Sequence, residues 1–182
     1  SEMCIRDRSE DISWLQSFKK EMIIVSSGAI ALGRSSFGAE NKTLNLEENQ
    51  AAAAIGQIEL AYSWKAALEK FNLKCAQILL SPDDTETRRK HLNARATIAK
   101  LIEANIIPVI NENDTITTSE IKFGDNDRLA ARVAQMSSSD LLILLSDIDG
   151  LYDKNPHLSD KANHIPKVKE INDDILKMAG SS

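Results

Sequence analysis

Four short apolar runs alternate along this chain with longer stretches of helical period. That alternation limits the fold more than any other feature. The runs are Met22 to Val25, Cys75 to Leu80, Asn105 to Ile110 and Leu141 to Leu145. They are rich in aliphatic residues and too short for helices, so they read as buried strands. Between them, Glu47 to Lys70 and Arg88 to Ala104 read as helices. A further helical pattern holds Leu129, Ala130, Val133 and Ala134. Strand–helix alternation means a mainly parallel sheet covered by helices on both faces. The expected class is therefore α/β, a three-layer α-β-α sandwich. At 182 residues the chain can bury one core of ordinary size. No linker or internal repeat interrupts it, so one domain is expected over residues 9–182.

Within that frame, finer expectations follow. Ile12, Leu15 and Phe18 suggest a helix across Ile12 to Lys20. In the long helix, Ile55, Ile58, Tyr62 and Ala66 fall on one stripe. Gly56 in its interior costs about 1 kcal/mol relative to Ala, which close approach of a neighbouring element or a substrate would explain. In the next helix Leu92, Ala96, Ala99 and Ile102 share a face. Its basic start, Arg88-Arg89-Lys90, opposes the helix dipole and reads better as a solvated face than as an anion contact. Pro108 argues for an irregular or edge strand. Thr115 to Phe123 reads as a hairpin-like excursion, His164 to Ile171 as an edge strand and Asp173 to Met178 as a short helix. Residues 1–8, SEMCIRDR, show no helical or strand period. They are expected to be a foreign scar or assembly artefact, or a disordered tail.

Three strands end in polar clusters: Ser26-Ser27-Gly28, Asn111 to Asp114, and Ser146-Asp147. In a parallel sheet these ends share one edge and can converge. Gly124-Asp125-Asn126-Asp127 opens a helix directly. For any one of these residues a capping role weighs about as much as a site. For Ser26-Ser27-Gly28 alone a Ser cap outweighs an anion site, and for Asp147 and Asp149 turn chemistry outweighs a ligand contact. The cluster as a whole favours a binding site.

Composition removes several classes. A net charge of −5 and 4% aromatic residues oppose a nucleic-acid surface with base-stacking platforms. No apolar run approaches a membrane span. Cys4 and Cys75 are far apart, no metal-ligand spacing exists and Cys75 reads as a buried thiol, so the cytosol is the simplest compartment. No G-x-G-x-x-G follows a predicted strand, which disfavours a nicotinamide-binding dehydrogenase.

The ordered set VSSGAIALG (Val25 to Gly33), AAAAIGQ (Ala51 to Gln57), LNAR (Leu92 to Arg95), PVINEND (Pro108 to Asp114), KFGDNDRLAA (Lys122 to Ala131) and LLSDIDGLYDKNP (Leu144 to Pro156) resembles the amino-acid kinase family. It is most similar to the branch that phosphorylates glutamate, and the match runs from about residue 12 to the C-terminus. The resemblance implies transfer of the γ-phosphoryl of ATP, with Mg2+, to the side-chain carboxylate of L-glutamate, a step toward proline. It implies that Ser27, Asp114 and Asn126 hold glutamate, that Asp127 organises the phosphate-binding lysines, and that Ser146 and Asp147 lie against ATP. L-proline as feedback inhibitor, homo-oligomerisation of the full-length protein and a cytoplasmic location are implied in the same way.

Family members also carry a leading strand with a lysine and a Gly-Ser turn, and a later glycine-rich loop with a second lysine. Neither matches here. The chain is therefore expected to be an internal fragment of the kinase domain with little or no turnover of its own. A non-catalytic glutamate- or proline-binding module is the competing reading.

Overall fold

The structure is a computed structural model, and it describes residues 2–36, 38, 43–116, 126–146, 148–154 and 161–178. The chain groups into two compact units, Ser1–Leu142 and Ile143–Ser182, where sequence suggests one domain.

The first unit is built on a parallel sheet of β1 (Ile24–Val25), β2 (Lys74–Leu80) and β3 (Ile106–Glu112), in the order β1-β3-β2. The chain crosses from β1 past β3 to β2 through α2 (Ala29–Ser36) and α3 (Leu46–Glu69). It returns to β3 through α4 (Pro82–Glu86) and α5 (Arg88–Glu103). Parallel crossovers share one hand, so an outward and a returning crossover must place their helices on opposite faces. Side-chain alternation along β3 agrees. Ile107 and Val109 pack with Ile24, Leu60, Trp64 and Leu68 on one face. Ile110 packs on the other with Leu80, Ile98 and, from α6 (Asn126–Ser137), Leu129, Val133 and Met136. Each such aliphatic side chain contributes about 1.5–3 kcal/mol by leaving water. The expected α-β-α layering is present.

Pro108 lies in the central strand, not at an edge or an irregularity, and pairs in register with Ala76. The Ser26 N–H donates to the Ile110 carbonyl at 2.8 Å. Polar groups alternate sides along a parallel strand, so residue 108 also directs its nitrogen toward the β1 side. There it lies level with the residues before β1 begins at Ile24, where no ladder bond is required.

Helix faces differ from the expected stripes. On α3 the buried residues are Ala52, Ala53, Gly56, Leu60, Trp64, Ala67 and Leu68, while Ile58 and Tyr62 are exposed. The helix is apolar nearly all round, so periodicity alone does not select a face. Backbone proximity to α2 does. A Cβ on Gly33 would sit 1.8 Å from the Ala52 carbonyl oxygen, and one on Gly56 would sit 1.9 Å from that of Ala29. Gly56 thus answers to a neighbouring helix. Asn45 caps α3: its Oδ1 accepts from the Glu48 N–H at 2.8 Å, and Glu48 Oε2 accepts from the Asn45 N–H at 2.9 Å. On α5, Ile98 is buried and Leu92 is half exposed. Arg88, Arg89 and Lys90 are exposed, with Lys90 paired to Asp83 at 2.6 Å.

Residues 2–8 do not lack regular structure. Helix α1 spans Glu2–Ser17, and Ile5 joins Ile12 in the core. The spacing of Ile5 and Ile12 is two helical turns, a signal weakened by the charges between them.

In the second unit, β4 (Leu151–Tyr152) pairs antiparallel with β5 (His164–Ile165), and α7 spans Asp173–Met178. The edge strand expected across His164 to Ile171 is thus only two residues long. The run Leu141 to Leu145 is no buried strand: it is irregular and exposed, with Leu141 at 73% and Leu145 at 68%. Aliphatic composition favours burial, but a strand needs a hydrogen-bonded partner, and none pairs with it among the described residues. No helix among those residues is long and apolar enough to cross a membrane.

Candidate functional site

At the carboxyl edge of β1 and β3 lies an open hollow of about 510 Å³. Ser27 and Arg34 line it from the β1–α2 segment, Asn111 and Asp114 from the end of β3, and Asn126 and Asp127 from the start of α6. The segments are remote in sequence. They meet because parallel strands end on the same edge.

Each segment is shaped locally. After β1 the chain turns through Gly28, whose φ of +104° is disfavoured for side chains with a Cβ, and α2 starts at the next residue. The turn is pinned from three sides. The Ser26 N–H bonds Ile110, its Oγ accepts from the Trp64 indole N–H at 2.8 Å, and its carbonyl accepts from Asn126 Nδ2 at 2.9 Å. Past β3, the Asn113 N–H donates to the Leu80 carbonyl at 2.9 Å, and Thr115 Oγ1 donates to Asn113 Oδ1 at 2.6 Å. These bonds hold Asp114 in a half-buried turn.

Three side-chain amides connect the segments, and two backbone groups fix their orientation. The Glu112 N–H can only donate, so Asn111 presents Oδ1 to it, at 2.9 Å. Asn111 Nδ2 then faces Gln57, whose Oε1 accepts at 2.8 Å. The Ser26 carbonyl can only accept, so Asn126 presents Nδ2 to it. The second Asn126 N–H reaches Asn111 Oδ1 at 3.4 Å. Both amide hydrogens of Asn126 are thus directed at the protein. What it can offer a ligand is its carbonyl oxygen.

That oxygen suits a cation. Glu112, Asp114 and Asp127 also line the hollow, so its walls are rich in acceptors. An ammonium group fits them, whereas a carboxylate needs the Ser27 hydroxyl, the amides that open α2, or Arg34. The hollow therefore has the chemistry to hold a small zwitterion.

Ser27, Asp114, Asn126 and Asp127, all anticipated from sequence, are brought together here. Ser146 is exposed in the second unit, its Oγ accepting from the Ile148 N–H at 3.4 Å. Asp147, Gly124, Asp125 and residues 117–123 of the expected excursion lie outside the described residues. Sequence reading missed Arg34, Gln57 and Trp64 as parts of the site. Arg34 was detectable in principle: it follows Ser27 at two-turn spacing, and Ile30 and Ala31 between them line the same hollow. The long-range bonds of Gln57 and Trp64 left no local signal.

Cys75, expected buried, is half-buried beside a smaller apolar hollow of about 210 Å³ lined by Ala61, Tyr62 and Val109. Partial burial and nearby Glu69 push its thiol pKa up, which keeps it protonated and unreactive near neutrality.

Comparison with known proteins adds a family. The profile described as "Amino acid kinase family" matches residues 1–180. A protein named "Glutamate 5-kinase" from Nitrobacter hamburgensis is 57% identical over 174 residues, which is 96% of this chain and 46% of that protein. Proteins of the same name from Gluconobacter oxydans and Rhodospirillum rubrum are 55% and 53% identical, over 93% and 96% of this chain. They too are covered to less than half, 45% and 46% of their length.

Proposed function

The chain belongs to the amino acid kinase family, and on that premise we propose that its hollow is the acceptor side of a glutamate 5-kinase active site. The chain spans a little under half the length of the curated relatives it matches, so the activity belongs to the whole protein. The observation that carries this reading is the convergence of Ser27, Asp114 and Asn126 on one hollow whose walls, among the described residues, combine acceptors with one cationic side chain, Arg34. L-Glutamate fits that division, with one ammonium and two carboxylates.

The mechanism asks little covalent work of the protein. A glutamate side-chain carboxylate, with a reference pKa of about 4.3, is already ionised at neutral pH. Its oxygen would bond to the γ-phosphorus of ATP as the bond to the β–γ bridging oxygen breaks and ADP leaves, with no general base required. Catalysis then rests on position and on neutralising charge. Asp114 and the Asn126 carbonyl oxygen hold the ammonium, the Ser27 hydroxyl donates to a carboxylate, and Asp127 at the start of α6 orients the phosphate-side cations. Mg2+–ATP, when bound, would supply the phosphoryl group and offset its charge.

The test is a hydroxamate assay for glutamyl phosphate, with Mg2+–ATP and glutamate, on the whole protein and its Asp114→Asn variant. Loss of the carboxylate facing the ammonium should raise the KM for glutamate about 10-fold or more. Unchanged KM would remove Asp114 from the site. Glutamate or proline binding without any turnover in the whole protein would replace the kinase by a binding module.

A further inference from the structure

We infer that Arg34 is the cationic partner of a ligand carboxylate in the hollow, a contact that rests on the glutamate reading above and makes it more specific. Three observations carry it. Arg34 is the one basic residue among the described residues lining the hollow. Its Nε is buried and has no hydrogen-bond partner in the structure. No ion pair engages its guanidinium among the described residues, although Glu112, Asp114 and Asp127 line the same cavity.

A buried donor left without an acceptor is costly, and native structures rarely keep one without a reason. Arginine in the last turn of α2 does complement the helix dipole. That accounts for a charge at the end of the helix. It does not account for a buried Nε–H, which an exposed arginine would leave in water. The planar guanidinium presents Nε–H and a terminal N–H side by side, the fork that matches two carboxylate oxygens. With Asn126 offering an acceptor and Asp114 a carboxylate, the anionic end of a zwitterion finds its complement at Arg34.

Glutamate has two carboxylates, and both share this chemistry. Calorimetry on the purified chain separates them, with glutamine (side-chain carboxylate replaced by amide) and isoglutamine (α-carboxylate replaced by amide) as probes alongside glutamate. Arg34→Met keeps the stem and removes the charge. Arg34→Lys keeps the charge and removes the fork. Arg34→Met should weaken glutamate binding roughly 10- to 100-fold, and Arg34→Lys less. The amide analogue that lacks the carboxylate held by Arg34 should lose less than about threefold in Arg34→Met, and so identify which end is held.

Arg34→Met binding glutamate as tightly as the parent overturns the inference while the glutamate reading stands. So does equal weakening of all three ligands, which would mean a general loss of the site; circular dichroism of both variants checks their folding independently. A parent chain that binds no glutamate removes the glutamate reading and this contact with it.

Discussion

Gln57 contributes no charge and no atom that lines the hollow, yet it decides what the hollow displays. Its Oε1 holds Asn111 Nδ2 at 2.8 Å, and Asn111 Oδ1 in turn receives the Glu112 N–H and, at 3.4 Å, Asn126. Gln57→Leu removes the acceptor and leaves a buried amide donor unpaired. The expected cost is about 1–3 kcal/mol of stability, read by urea denaturation. The same variant should weaken glutamate binding, because Asn111 is then free to rotate and Asn126 loses one of its restraints. Trp64→Phe tests the other anchor. It keeps an aromatic ring in the core and deletes the N–H that holds Ser26 Oγ at 2.8 Å. A loss of about 1 kcal/mol is expected, with weaker glutamate binding because the turn at Ser27 loosens. Unchanged binding in both variants would mean that the amides do not position the site. This scale shows where sequence reading stops. Ser27, Asp114 and Asn126 stand out because polar residues directly follow apolar strands or open a helix. Gln57 and Trp64 sit inside a helix, and nothing nearby in sequence indicates partners on other elements.

The crossing of α2 and α3 is the element on which the β1 turn depends. Ala54→Gly on the exposed face of α3 should cost about 1 kcal/mol from propensity alone. Gly56→Ala reverses that propensity term and should still destabilise, because its Cβ would meet Ala29 and Gly33 backbone at 1.9 and 2.5 Å. Backbone cannot swing aside as a long side chain can, so the loss should reach about 1–3 kcal/mol or more, measured by thermal unfolding. Ala29 opens α2 directly after the Ser27-Gly28 turn, so glutamate affinity should fall with it. The junction of α4 and α5 gives a pH prediction. Partial burial pushes the Asp84 carboxyl up, but bonds from the Ser81 hydroxyl at 2.6 Å and N–H at 2.8 Å, with Lys90 nearby, hold it below the usual carboxylate range. Its stabilising effect is therefore present above the unfolded value of about 3.9 and lost as pH falls through the lower folded value. Faster amide exchange at Ser81 on acidification below about pH 4 is the readout. Element types were largely legible, since α3, β2, α5, β3, α6 and α7 all fall where period and composition place them. Helix faces were not, because α3 is apolar around most of its circumference and the partner that selects a face is remote.

At the scale of the whole molecule, Leu141 to Leu145 shows why composition cannot replace topology. The sheet order β1-β3-β2 and the two helical layers follow from alternation and from one crossover hand. The same logic puts a strand at this run, and the described residues give it no ladder partner. Its side chains are left 39–73% exposed. Five uncharged aliphatic residues with high strand propensity and no proline form a segment prone to intermolecular pairing. Ile143→Lys places a charge in the middle of the run and should slow concentration-dependent aggregation several-fold, followed by light scattering. Ile143 is 63% exposed, so the substitution should leave the thermal midpoint nearly unchanged. The alternative is that the run is buried in the protein's working state, against a further strand or a second copy. In that case the lysine would lower the midpoint markedly by bringing an unpaired charge into an apolar contact. The two outcomes are opposite in sign, and a melt recorded beside the scattering trace separates them.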